Sequence, residues 1–270
     1  MQAVDLTDKL EFMESSKLEL TIDPVGSVPL ESNLIMQAAF ELKKITTSKR
    51  GASIKLYKNI PVSAGLGGGS SDAAAALIGL NLLWDSKLNT DELCAIGAKL
   101  GSDIPFFINN VTAVATKRGE ELNTLPSPHE KFALIIENPL PNIIAKTYKM
   151  YQLIRPDHYS LGHDHVEQMI RLLSRKMPLA NSTYNVFDFV APSLYSNYDE
   201  IKKTIKETGI HNLTLAGSGP SFFSLYSNFG DGSSAQIGLT EVGIKSHLVA
   251  LLDYNEGLNV SGNSRLIQII

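Results

Sequence analysis

Apolar and polar positions alternate through Leu18, Leu20 and Ile22, and again through Ile54, Leu56 and Ile60. A period of two predicts strands over Lys17–Asp23 and Ser53–Lys58, belonging with Met1–Phe12 to an antiparallel sheet with one wet face. Between them Leu34, Ile35, Ala38, Ala39 and Leu42 have helical spacing, with Ser32 or Asn33 as N-cap and Lys43 and Lys44 at the negative C-terminal end. From Ser71 to Trp84 nearly every position is apolar, which predicts a helix buried all round. Thr90 is read as the cap of the next helix, with Asp91 and Glu92 in its first turn and Leu93, Ile96 and Leu100 on one face. Gly101 breaks that helix, and Pro105 is expected to keep the following turn from becoming another.

Thr112–Thr116 and Phe132–Glu137 read as strands, separated by the polar turn Lys117–Glu121 and the proline-rich stretch Pro126–His129. That stretch is the expected boundary between lobes at 1–126 and 127–270. Helical spacing returns at Lys146–Leu153, Asp164–Leu173, Val186–Val190, Tyr198–Thr208 and Ser233–Val242, with loops near Pro156–Gly162 and at Pro178. Strands are expected at Leu213–Ala216, Ser221–Tyr226, His247–Leu252 and Leu266–Ile270, which makes the chain α+β.

Composition narrows the function. With 270 residues, 43% hydrophobic and 19% charged, the chain is sized for a sizeable core, and its net charge of -4 argues against non-specific nucleic-acid binding. Cys94 is the single cysteine, so no intrachain disulfide or thiolate zinc cluster is possible, and a reducing compartment is expected. No apolar run reaches the length of a membrane span, and the opening residues lack the order of a signal peptide. The expectation is a cytoplasmic monomer or homodimer with no nucleic-acid or membrane partner.

The chemistry concentrates in Pro61–Ala76, PVSAGLGGGSSDAAAA. Gly65, Gly67, Gly68 and Gly69 precede Ser70, Ser71 and Asp72, and four alanines follow. Glycines that take positive φ let backbone amides converge, and a helix N-terminus adds positive potential, so the unit suits a phosphate. The P-loop pattern fails because Gly69 rather than lysine precedes Ser70, and the Rossmann pattern fails because Ser70 stands at its third glycine. The competing reading is a tight strand-to-helix turn in which the glycines only relieve crowding. Asp72 is explained by the helix dipole, Cys94 by a small core site, and His163 and His165 by a loop.

This stretch resembles the central ATP-binding motif of the GHMP small-molecule kinases. The doubled Gly68-Gly69 is most similar to the members that phosphorylate 4-diphosphocytidyl-2-C-methyl-D-erythritol. LGSDIPFFI at Leu100–Ile108 resembles the next motif, and LAGSGPSFFSL at Leu215–Leu225 the third; SNLI at Ser32–Ile35, KRGEEL at Lys117–Leu122 and NVFDF at Asn185–Phe189 also fit. The resemblance implies a two-lobed fold, an N-terminal lobe like a ribosomal protein domain and a ferredoxin-like C-terminal one. It also implies ATP and Mg²⁺, with nucleotide contacts from Pro61, Val62, Ser63, Ala64, Gly65, Leu66, Gly67, Gly68, Gly69, Ser70 and Ser71, and from Gly217, Ser218 and Gly219. Asp103 stands where the family has its catalytic base, against the plainer reading of a turn cap. Ser70 and Ser71 are read as helix caps, with Ser71 assigned to the metal. Lys58 is placed either at the nucleotide or as a solvated strand-end lysine, and Gly217–Gly219 is otherwise a plain hairpin turn.

The family ordinarily opens with a P-A-K-[IL]-N-L strand and a D-G-Y-H turn, and neither occurs in these 270 residues. A first strand and turn are therefore expected to be missing. The readings open at this point are the kinase named above, a non-catalytic nucleotide-binding protein, or a related kinase with another small acceptor.

Overall fold

The computed structural model describes residues 1–26, 33–109, 112–138, 143–159, 164–253, 260–263 and 266–269. In chain order the elements are β1 (Lys9–Ser15), β2 (Leu18–Asp23), α1 (Leu34–Thr46), β3 (Gly51–Tyr57), α2 (Gly68–Leu83), α3 (Thr90–Leu100), α4 (Ile104–Asn109), β4 (Ala113–Thr116), β5 (Glu121–Thr124) and β6 (Phe132–Ile136). They continue as α5 (Lys146–Leu153), α6 (Asp164–Ser174), α7 (Ala191–Leu194), α8 (Tyr198–Glu207), β7 (Thr214–Leu215), β8 (Phe222–Tyr226), α9 (Phe229–Glu241), β9 (Ser246–Ala250), β10 (Val260–Asn263) and β11 (Leu266–Ile269). Short 3-10 turns lie at Pro156–His158 and Val186–Phe189. Ser32, Gly162, His163 and Ile270 lie outside the described residues.

The chain divides into two units, the first made of 1–62, 67–124 and 252–270 and the second of 63–66 and 125–251. The first holds a five-stranded sheet in the order β10-β11-β1-β3-β2 and the two-stranded ribbon β4-β5. The sheet is mixed, because β2 runs parallel to β3 while β1 is antiparallel to both β3 and β11. The expectation of a purely antiparallel sheet is corrected here: α1 lies between β2 and β3 in the chain, and a helical crossover returns the strand in the same direction. β10 and β11 belong to this first sheet, whereas the sequence reading placed the whole of 127–270 in the second lobe.

Helix α2 is the centre of this unit and packs on α1, α3, α4, β1 and β11. Ala73, Ala74, Ala76, Leu77 and Leu80 are fully buried, as the uninterrupted apolar run predicts. Alanines let neighbouring elements approach closely, while each buried leucine contributes about 1.5–3 kcal/mol. Asn33 caps α1, its Oδ1 accepting the Ile35 amide at 2.9 Å. At α3 the cap is Asn89 rather than Thr90: Asn89 and Glu92 form a reciprocal capping box, which satisfies two backbone amides instead of one. Pro105 stands at the second position of α4 and does not prevent that helix, since the missing amide is one a helix start leaves unpaired anyway. Lys117 and Gly119, both at positive φ, reverse the chain into β5, a strand whose exposed polar residues carry no alternation to read.

The second unit is built on the antiparallel sheet β7-β8-β6-β9, against which α9 packs. Its core gathers Leu134, Ile136, Met150, Tyr195, Tyr198, Ile205, Phe222 and Leu239. This is the α+β organisation that the periodicity predicts.

Candidate active site

Gly67 caps α2 with φ 74, a left-handed conformation that glycine adopts freely, and a Cβ at this position would lie 2.8 Å from the Phe107 ring. The amides of Ser70 and Ser71 both donate to the Gly67 carbonyl at 2.9 Å. Gly68 and Gly69 precede those bonds, so their amides have no acceptor within the helix and point out from its positive end. Ser70 and Ser71 are thus the third and fourth helical residues, not caps, and the Ser71 hydroxyl donates to the Gly68 carbonyl at 2.9 Å.

The earlier part of the glycine stretch, Ser63–Leu66, belongs to the second unit. Val62 leads into it exposed, Ala64 is buried, and the Ala64 carbonyl accepts the Ser221 amide at 3.3 Å. A Cβ on Gly65 would fall 2.1 Å from the Ala216 carbonyl oxygen, and one on Gly217 would fall 2.7 Å from that of Gly65. Gly65 and the Gly217-Ser218-Gly219 turn are therefore in backbone contact. Gly65→Ala is expected to lower stability by about 2–4 kcal/mol, from left-handed backbone strain plus overlap, as read by denaturant titration.

The carbonyls of that turn are taken up by side chains. Asn185 Nδ2 donates to Leu215 O at 2.8 Å and to Gly217 O at 2.7 Å, and the Tyr195 hydroxyl donates to Ser218 O at 2.6 Å. Lys146 Nζ donates to Gly219 O and, at 2.6 Å, to Ser63 O. With the carbonyl oxygens covered, the negative ends of these peptides are turned into the protein, which favours an anion on the amide side. Lys146 and Asn185 are missed as site residues by sequence reasoning. Asn185 falls within the quoted NVFDF, but Lys146 carries no motif, and its partners lie 73 and 83 residues away.

Within the first unit, Lys58 is neither solvated nor open. Its ammonium lies between Asp8 and Asp72, 3.0 Å from Asp72 Oδ2, and all three side chains are at most 6% exposed. A Cβ on Gly68 would sit 3.1 Å from Lys58 Nζ, which places the cation directly beneath the start of α2. Asp8 Oδ1 accepts the amides of Asn59 at 2.5 Å and Ile60 at 2.8 Å, fixing the chain as it leaves β3. Asp72 is one turn inside α2, so the dipole does not account for it. Burial raises its pKa to about 7, with the Asp8 carboxylate adding to the rise and Lys58 opposing it, and its Oδ1 has no hydrogen-bond partner.

Asp103 lies in the turn between α3 and α4, beside Gly119 of the Lys117–Glu121 turn. Among the described residues its carboxylate forms no hydrogen bond or ion pair, so it is not a turn cap. It is open to solvent, yet partial desolvation by the surrounding protein raises its pKa above the usual carboxylate value. Such a group is a competent proton acceptor near neutral pH.

The second unit also exposes an aromatic surface. The rings of His165 and Tyr184 stack at 4.1 Å with an interplanar angle of 8°, and those of His158 and Phe189 at 5.5 Å and 11°. His165 lies in α6, not in a loop. Cys94 is half-buried, its thiol 3.3 Å from the Asn109 amide nitrogen.

Residues 33–110 match the family described as the GHMP kinases N terminal domain, and residues 164–245 match GHMP kinases C terminal. The chain belongs to the GHMP kinases. It is 38% identical to the 4-diphosphocytidyl-2-C-methyl-D-erythritol kinase of Bacillus pumilus, over 83% of this chain and 78% of that one. Identity to the enzyme of the same name from Prochlorococcus marinus is 36%, over 84% and 76%. A solved 4-(cytidine 5'-diphospho)-2C-methyl-D-erythritol kinase superposes with a TM-score of 0.73 at 28% identity, covering 92% of this chain and 87% of its own. The homoserine kinase of Cytophaga hutchinsonii superposes at 0.75 with 18% identity over 95% and 89%, a likeness of fold alone. In this GHMP kinase the glycine stretch and Asp103 lie within the residues matched to the N-terminal family, and Gly217–Gly219 within those matched to the C-terminal one.

Proposed function

We propose that this GHMP kinase transfers the γ-phosphoryl group of ATP to the 2-hydroxyl of 4-diphosphocytidyl-2-C-methyl-D-erythritol, a step of non-mevalonate isoprenoid biosynthesis. The observation that carries the reaction type is the unpartnered, pKa-raised carboxylate of Asp103 in the same unit as the amide-rich start of α2. The substrate rests on the likeness to relatives that bear its name.

In this reading the amides of Gly67–Gly69 bind phosphate oxygens, and the rest of Pro61–Ser71 and Gly217–Gly219 complete the nucleotide contacts. Lys58, locked between two carboxylates, supports the loop from beneath. Asp103 accepts the hydroxyl proton as the alcohol oxygen bonds to the γ-phosphorus and the bond to the β-γ bridging oxygen breaks, releasing ADP. Among the described residues no cluster of three His, Cys, Asp or Glu is arranged for a metal. That fits Mg²⁺, which is held largely by phosphates and water with one or two protein oxygens. The Ser71 hydroxyl donates its proton to Gly68 O, leaving its lone pairs for such a cation. Mg²⁺ when bound neutralises charge on the β- and γ-phosphates.

Coupled ADP release with this substrate tests the proposal. Turnover with homoserine or mevalonate instead would overturn the substrate, and ATP binding without turnover would favour the non-catalytic reading. The Tyr184 and His165 rings offer a stacking surface for a nucleobase, worth about 1–3 kcal/mol per base. Tyr184→Ala is accordingly expected to raise KM for the cytidine substrate by about tenfold or more with KM for ATP unchanged. No helix among the described residues is long and apolar enough to cross a membrane; the proposed setting is the cytoplasm, as monomer or homodimer.

A further inference from the structure

Lys146 stands at the first residue of α5, after Ala145 in a left-handed conformation. Its two hydrogen bonds go to neutral carbonyls, those of Ser63 and Gly219, and no carboxylate pairs with it among the described residues. An ammonium has three donors, so one remains. Burial lowers its pKa to about 8, and no anionic neighbour opposes the shift. The other lysine near the glycine stretch, Lys58, is consumed by Asp8 and Asp72, and the stretch has no lysine of its own before Ser70. The Thr147 hydroxyl, 3.0 Å from that of Ser218, adds a further polar group beside the same turn. A partly desolvated cation without a counter-ion, set against backbone whose carbonyls are already covered, is a site for an anion.

We propose that Lys146 is a nucleotide-binding residue whose remaining ammonium N–H donates to a phosphate oxygen of the nucleoside triphosphate, beside Ser63 and Gly219. This rests on the kinase reading above. The competing role is a brace that only ties Ser63 to Gly219.

Calorimetric titration of the full chain with ATP and with adenosine, in the presence of Mg²⁺, separates the two. Lys146→Met is expected to weaken ATP binding by about 10- to 100-fold and leave adenosine binding unchanged, with Lys146→Arg recovering most of the loss. Lys146→Gln keeps a donor for the carbonyls but carries no charge. A phosphate contact makes Gln behave like Met, whereas a brace makes it behave like the wild type. Equal ATP affinity in the wild type, Met and Gln proteins, or parallel loss of ATP and adenosine together with a lowered Tm, would overturn the assignment. Wild-type protein that binds no ATP would overturn the kinase reading and this proposal with it; wild-type binding with unaltered variants overturns this one alone.

Discussion

Asp103→Asn is expected to lower kcat by about 10²–10⁴-fold, the usual worth of a positioned general base, while ATP affinity and Tm stay at their wild-type values. The second half of that expectation follows from the surroundings of the side chain. The carboxylate is solvent-exposed and has no hydrogen bond or ion pair among the described residues, so an isosteric amide removes no structural contact. The acidic limb of the pH profile is a second readout. Asp103 must be ionised to accept a proton, and desolvation raises its pKa above the ordinary aspartate value of 3.8. The rate should therefore rise with pH through a midpoint displaced upward from that value, and the Asn variant should lose this limb. If Asp103→Asn kept more than about a tenth of wild-type kcat, the base would have to be sought elsewhere.

Local and long-range features were not equally legible in the sequence. Local features were readable because their causes are local: the apolar run of α2, the glycines before it and the turn carrying Asp103 all follow from residues within a few positions of one another. The parallel pairing of β2 with β3, the return of β10 and β11 to the first sheet, and the Lys58 cluster depend on contacts distant in the chain. Asp8 lies 50 residues before Lys58, and nothing in DLTDKLEF marks it as buried. Lys58 reads either as a nucleotide contact or, as strand-end lysines ordinarily are, as a solvated side chain. Burial of two carboxylates reverses that expectation, and it is a property of tertiary packing. Ser70 and Ser71 read as caps because a hydroxyl is the favoured capping group; here Gly67, in a conformation those residues would adopt at a cost, caps the helix three positions before Ser70.

Lys58→Met is the stability counterpart of the first expectation. It leaves Asp8 and Asp72 facing each other in a buried site with no cation, a change that costs about 3–5 kcal/mol when one partner of a buried ion pair is removed. The cost should depend on pH in a definite direction. Asp72 has its pKa raised to about 7 in the folded chain against 3.8 for the ordinary group. Between those values the folded state holds more protons than the unfolded one, so this group's stabilising contribution is complete below 3.8 and is lost as pH rises toward about 7. Denaturant titrations of Lys58→Met should therefore show a larger loss at pH 8, where Asp72 is mostly ionised, than at pH 5, where it is mostly neutral. Asp72→Asn should remove that acid-side advantage in the wild-type background, and in the Lys58→Met background it should recover part of the loss at pH 8. A loss under about 1 kcal/mol, or one that is the same at both pH values, would show that the three side chains do not form an interdependent buried cluster beneath the start of α2.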